Sequence, residues 1–104
     1  MPAVGSDMKP DAIIKVRLKT TGEGGRQGPI VIGEAPYGCT LFVGGEAFDC
    51  RFLMRAQTLE LGNAYELPIK FLNPQLALPT LSPGKPVMLW EGKEIATGKV
   101  VRLV

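Results

Sequence analysis

Glycine or proline breaks this chain so often that no helical period of apolar residues survives for ten positions, and the segments left between the breaks alternate. With 13 glycines and 9 prolines in 104 residues, most segments are too short for a helix and long enough for a strand. The order Ile14-Lys15-Val16-Arg17-Leu18-Lys19 sets the pattern: Ile14, Val16 and Leu18 point one way, and Lys15, Arg17 and Lys19 the other. A half-buried strand is expected there.

Thr21 to Arg26 is too rich in glycine for regular structure and reads as a loop, followed by the short apolar run Ile30-Val31-Ile32 and a turn near Glu34 to Gly38. Gly44-Gly45 suits the two-residue turns whose twist matches that of paired strands. Counting outward from it pairs Val43 with Glu46, Leu41 with Phe48, and Cys39 with Cys50. That register collects Leu41, Phe48, Cys50, Phe52 and Met54 on one face and turns Thr40, Asp49, Arg51 and Arg55 away. Tyr65 to Phe71 alternates again; Pro68 within it lacks an N–H and belongs at an edge, bulge or rim. Asn73 to Pro86 holds Pro74, Pro79, Pro83 and Pro86 and reads as a loop. A last hairpin runs from Val87 to Trp90, turns at Glu91-Gly92 and returns from Lys93. Its facing stays open, because Val87, Leu89, Ala96 and Val100 compete with Met88, Trp90 and Ile95 for the interior. About six short antiparallel strands imply an all-β fold, a small closed barrel or sandwich, over residues 12–104, with residues 1–11 expected as a flexible tail.

Several kinds of chemistry are excluded or disfavoured. The chain has no histidine, so the usual general base near neutral pH and the commonest metal ligand are missing. Two cysteines with ten residues between them match neither a disulfide scaffold nor a short-spaced zinc pair. No cofactor or metal is expected. A phosphate loop needs G-x-x-x-x-G-K-[ST], and Gly84-Lys85, Gly92-Lys93 and Gly98-Lys99 continue with Pro86, Glu94 and Val100. Nucleotide binding and GTPase activity are therefore not expected. No apolar run is long enough for a bilayer, and the first residues lack the features of a secretory signal, so a cytoplasmic protein without a membrane role is expected. A net charge of +2 gives no strong attraction to polyanions.

Three motifs in order carry a resemblance. Gly24-Gly25-Arg26-x-x-Pro29-x-x-x-Gly33-x-x-Pro36 resembles the GGR-x-x-P-x-x-x-G-x-x-P signature of the third domain of elongation factor Tu. Leu61-Gly62-Asn63-Ala64-Tyr65 is similar to that domain's P-G-D-x-V turn and strand. Glu91 to Arg102 resembles its EGGRTVGAGVV closing hairpin, shortened by one residue at the turn. The likeness covers about residues 12–104 and implies a six-stranded antiparallel Greek-key barrel with a binding role in a translation-related context. Gln27 stands where the family usually has His, and Ala35 where it usually has Arg, so contacts of those side chains do not carry over.

The candidate partner-binding residues are Lys15, Arg17, Lys19, Arg26, Trp90 and Arg102. Lys15, Arg17 and Lys19 are spaced to follow phosphates or simply to keep an outer face hydrated; Lys99 or Arg102 extends the strip if the last strand lies beside the first. Gly22 to Arg26 suits either an anion nest with Arg26 as a clamp, or a turn in which Arg26 binds carbonyls or a carboxylate across the barrel mouth. Trp90, the sole tryptophan, is either core or an exposed contact. The expected function is a non-enzymatic binding module with a protein partner first and RNA second. The alternative is a small redox or thiol-dependent protein working through Cys39 and Cys50, which otherwise serve as small apolar residues on a strand face.

Overall fold

A computed structural model describes residues 9–104 and contains eight strands: β1 (Ala12–Leu18), β2 (Ile30–Ile32), β3 (Tyr37–Val43), β4 (Glu46–Phe52), β5 (Gln57–Leu59), β6 (Ala64–Phe71), β7 (Pro86–Trp90) and β8 (Glu94–Leu103). Six of them close into an antiparallel barrel in the order β1-β6-β4-β3-β7-β8, with β8 returning to β1. The all-β barrel expected from the alternating segments is the observed fold. Its interior is filled by alternate residues of these strands, among them Ile14, Val16, Leu18, Leu41, Phe52, Leu67, Ile69 and Leu89, all buried. Each such aliphatic or aromatic side chain contributes about 1.5–3 kcal/mol relative to exposure.

The β3–β4 register is the expected one: Val43 opposes Glu46, Leu41 opposes Phe48 and Cys39 opposes Cys50. Gly44 and Gly45 both have positive φ, 59° and 83°, which the connecting turn requires. Pro68 lies one residue beyond the last β4–β6 pair, Phe52 with Ile69; its carbonyl still accepts from the Leu53 N–H at 2.8 Å, and the return bond that its missing N–H cannot make falls where that ladder ends. The open question of the last hairpin is answered by a bulge. Leu89 opposes Ala96 and Trp90 opposes Glu94, leaving Ile95 as the extra residue. Ile95 and Ala96 are therefore both buried, Val87 and Leu89 point inward, and Met88 and Trp90 point outward.

Several local expectations need correction. The supposed turn through Gly38 ends sooner, because β3 begins at Tyr37 and Gly38 lies within the strand. The loop after β1 contains a 3-10 turn, Thr21–Glu23, closed by a reciprocal cap: Thr20 Oγ1 accepts from the Glu23 N–H while Glu23 accepts from the Thr20 N–H. The proline-rich segment after β6 winds into a short helix α1 (Pro74–Ala77) and a 3-10 turn, Leu78–Thr80; Pro74 suits a helix start, where a missing N–H is harmless. Short β5 pairs with β2 in a separate two-stranded sheet, and Ile30, Ile32 and Leu59 join the main core.

Of the expected tail, residues 1–8 lie outside the described residues. Asp11, at its end, is tied into the barrel. Its N–H donates to the Ile69 carbonyl at 2.8 Å, its Oδ2 accepts from the Phe71 N–H at 2.8 Å, and its carbonyl accepts from Val104 at 3.1 Å. Among the described residues, no helix is long and apolar enough to cross a membrane.

Candidate docking surface

The cations of β1 share one outer face, and two of the three are paired. Arg17 pairs with Glu23 at 2.9 Å, and Lys19 forms an ion pair with Glu94. The Thr20 N–H, then Arg17, hold the Glu23 carboxyl below its ordinary range. Lys15 lies between Glu66 of β6 and Lys99 of β8 as cross-strand neighbours. Because β8 does lie beside β1, Lys99 and Arg102 share the strip, Arg102 standing opposite Ile13.

Arg26 is elsewhere, at one mouth of the barrel, and its donors are occupied. Nε donates to the Gly28 carbonyl at 3.0 Å, Nη2 to the Pro29 carbonyl at 3.3 Å, and Nη1 to Tyr37 Oη at 3.1 Å and to Glu91. Tyr37 Oη also donates to Glu91. Of the two sequence readings of this loop, the observed contacts are those of the arginine binding carbonyls and a carboxylate across the mouth. The cluster fixes the end of β7 against the start of β3.

Beside that cluster the outer face of β7, β3, β4 and β6 is concave and forms a groove of about 650 Å³. Trp90 stands on one side of it, 38% exposed, and Leu72 on the other, 64% exposed. The Trp90 ring is braced edge-to-face by Phe42, with centroids 5.6 Å apart. Two rows of outward residues cross the groove. One runs Trp90, Thr40, Asp49 toward Leu72; the other runs Gly38, Arg51, Lys70. The absence of a side chain at Gly38 deepens the floor between Trp90 and Arg51.

Both cysteines lie beneath this floor as buried free thiols. Burial pushes the Cys39 thiol up, against hydrogen bonds to the Trp90 and Thr40 carbonyls, and pushes Cys50 up to about 12. Little thiolate is present near neutral pH.

Of the six candidate residues, Lys15, Arg17, Lys19 and Arg102 thus share one face, Arg26 is structural at the mouth, and Trp90 belongs to the groove. Sequence reasoning missed Gly38, Arg51 and Leu72 as groove residues. The signal available for Gly38 was a glycine one position from the Cys39–Cys50 pair, inside an alternating run. No protein-family model matches the chain, and no curated protein matches its sequence significantly.

Proposed function

We propose that this chain is a non-enzymatic binding module, a barrel similar to the third domain of elongation factor Tu, that engages a protein partner in a translation-related setting through the face carrying Trp90. The observation that carries the reading is the exposed Trp90, held in place by Phe42 at the wall of a groove whose far side is the exposed Leu72. Preordered aromatic side chains beside a concavity are the usual anchors of protein interfaces. The closed six-stranded barrel agrees with the fold that the resemblance implies.

RNA is the weaker partner because Arg17 and Lys19 are already neutralised by Glu23 and Glu94. Thiol chemistry is weaker still, since both cysteines are buried and protonated and the chain has no histidine to activate them.

The test is affinity capture from native lysate with three proteins: wild type, Trp90→Ala, and the triple variant Lys15→Gln/Arg17→Gln/Lys19→Gln. The reading requires a protein that wild type and the triple variant retain and Trp90→Ala loses. Retention by Trp90→Ala, or loss only from the triple variant, would overturn it.

A further inference from the structure

We infer that the groove takes an extended acidic peptide segment, which continues the line of β7 along the free edge of β3 at Gly38 and sets a carboxylate against Arg51. This rests on the preceding reading of the Trp90 face and names the chemistry of its partner.

The backbone directions follow from the ladders. The Leu53 N–H donates to the Pro68 carbonyl, and the Leu72 N–H donates to the Asp49 carbonyl, so odd-numbered residues of β4 turn their peptide groups toward β6. Its even-numbered residues, Cys50 among them, therefore bond to β3 through Cys39, Leu41 and their alternates. Gly38, Thr40 and Phe42 are left to bond on the opposite side, toward β7. Thr40 and Phe42 find Trp90 and Met88 there. Gly38 does not, because β7 stops at Trp90 and the Glu91 N–H turns back to the Lys93 carbonyl. An N–H and a C=O on one residue thus face the groove as an open strand edge.

The identity of residue 38 is a second, independent observation. Glycine within a strand costs stability and is commonly retained where another backbone or a ligand approaches. The other strand glycine, Gly98, has a steric reason, since a Cβ there would clash with the Lys15 carbonyl oxygen. Gly38 has none: its φ is not positive, and a Cβ would find only the Cys50 carbonyl oxygen, at 3.9 Å. The barrel tolerates a side chain that the sequence omits.

Charge selects the occupant. Arg51 stands directly opposite Lys70, two like charges on neighbouring strands. Lys70 is drawn toward Asp11 at 3.6 Å, whereas Arg51 has no ion pair among the described residues. Of the two acids that line the groove, Glu91 is committed to Arg26 and Tyr37, and Asp49 lies one row away from Gly38, opposite Thr40. A carboxylate on the peptide residue opposite Gly38 completes the row Gly38, Arg51, Lys70, and the stem of that same residue, the next outward position on the line of β7, lies beside the Trp90 ring.

The test uses isotope-labelled full chain and three synthetic probes: the alternating peptide acetyl-Val-Glu-Val-Glu-Val-amide, its lysine counterpart, and a single-stranded oligouridylate. The acidic peptide should shift the Gly38 amide and the Trp90 indole N–H, with the lysine peptide at least about tenfold weaker. Gly38→Val, which places a branched side chain between the incoming carboxylate and Arg51, should retain the wild-type spectrum elsewhere and lose the binding. Arg51→Glu should reverse the preference between the two peptides. Equal response to both peptides, unchanged binding by Gly38→Val, or shifts with the oligonucleotide alone would overturn the inference. If Trp90→Ala abolishes protein capture while the acidic peptide leaves Gly38 unmoved, only this mode of binding fails; if Trp90→Ala still captures its protein, the parent reading fails.

Discussion

Arg26 and Glu91, 65 residues apart in sequence, meet at the mouth of the barrel, and Tyr37 Oη joins both. The contact ties the glycine-rich loop after β1 to the β7–β8 turn and so fixes one wall of the Trp90 groove. Both side chains are mostly shielded, 28% and 23% exposed, so removing one charge leaves the other poorly hydrated. Glu91→Gln should cost about 1–3 kcal/mol and lower the thermal midpoint by about 4–8 °C for each kcal/mol. Arg26→Met combined with Glu91→Gln should cost less than the sum of the single changes, because the pair is one interaction. Additive losses in circular dichroism melts would show that the contact is not energetically coupled.

The two strand glycines should respond oppositely to the same methyl group. Gly98→Ala forces a Cβ against Lys15 O and Val16 Cα, both backbone atoms, and should cost about 3 kcal/mol or more, the upper end of overpacking effects. Gly38→Ala meets no such barrier and should stabilise by about 0.5 kcal/mol through the lost freedom of the unfolded chain. Urea unfolding of both variants checks the contrast, and comparable destabilisation would remove the claim that residue 38 is glycine for a reason other than folding.

Much of the barrel was legible because alternation and turn chemistry are local. Ile14 to Lys19 shows its inner and outer faces directly, and Gly44-Gly45 fixes the β3–β4 register down to Cys39 opposite Cys50. The β7–β8 facing was not legible, since one extra residue, Ile95, shifts the phase and buries two successive side chains, Ile95 and Ala96. Three-residue strands such as β5 carry too few positions to display a period, and Gln57–Leu59 becomes a strand only by meeting β2. The cations of β1 were visible, but their neutralisation by Glu23 and Glu94 depends on where the chain returns. The groove was the least legible feature, being built from outward residues of four strands and from a missing side chain.

Lys15 and Lys99 face each other across β1 and β8, both exposed. Like charges directly opposed in an antiparallel pair are unfavourable, so Lys99→Glu should raise stability by about 0.2–1 kcal/mol. The gain is electrostatic and exposed to solvent, so it should shrink as salt is raised to about 1 M, where screening acts over about 3 Å. A gain that persists unchanged at high salt would point instead to strand propensity. The same variant removes charge from the cation strip, and its retention of the protein partner would agree with a binding face at Trp90.

Cys50 makes stability depend on alkaline pH with a definite sign. In the unfolded chain its thiol titrates near the ordinary value of 9.0, while burial holds the native thiol protonated up to about 12. Below that ordinary value both states carry the proton, and the full contribution to stability is present. As pH rises between the two values the unfolded state loses its proton and the native state does not, so unfolding becomes easier by about 1.4 kcal/mol per pH unit. Other groups titrate in the same range, and Cys50→Ala separates them: the variant starts less stable, because a small cavity replaces the sulfur, but it should lose stability less steeply above about pH 9. Urea midpoints measured for both proteins from about pH 8 to pH 10 provide the comparison. Parallel slopes would mean that the native Cys50 thiol ionises as readily as the unfolded one, which would require water to reach a side chain that the barrel wall covers.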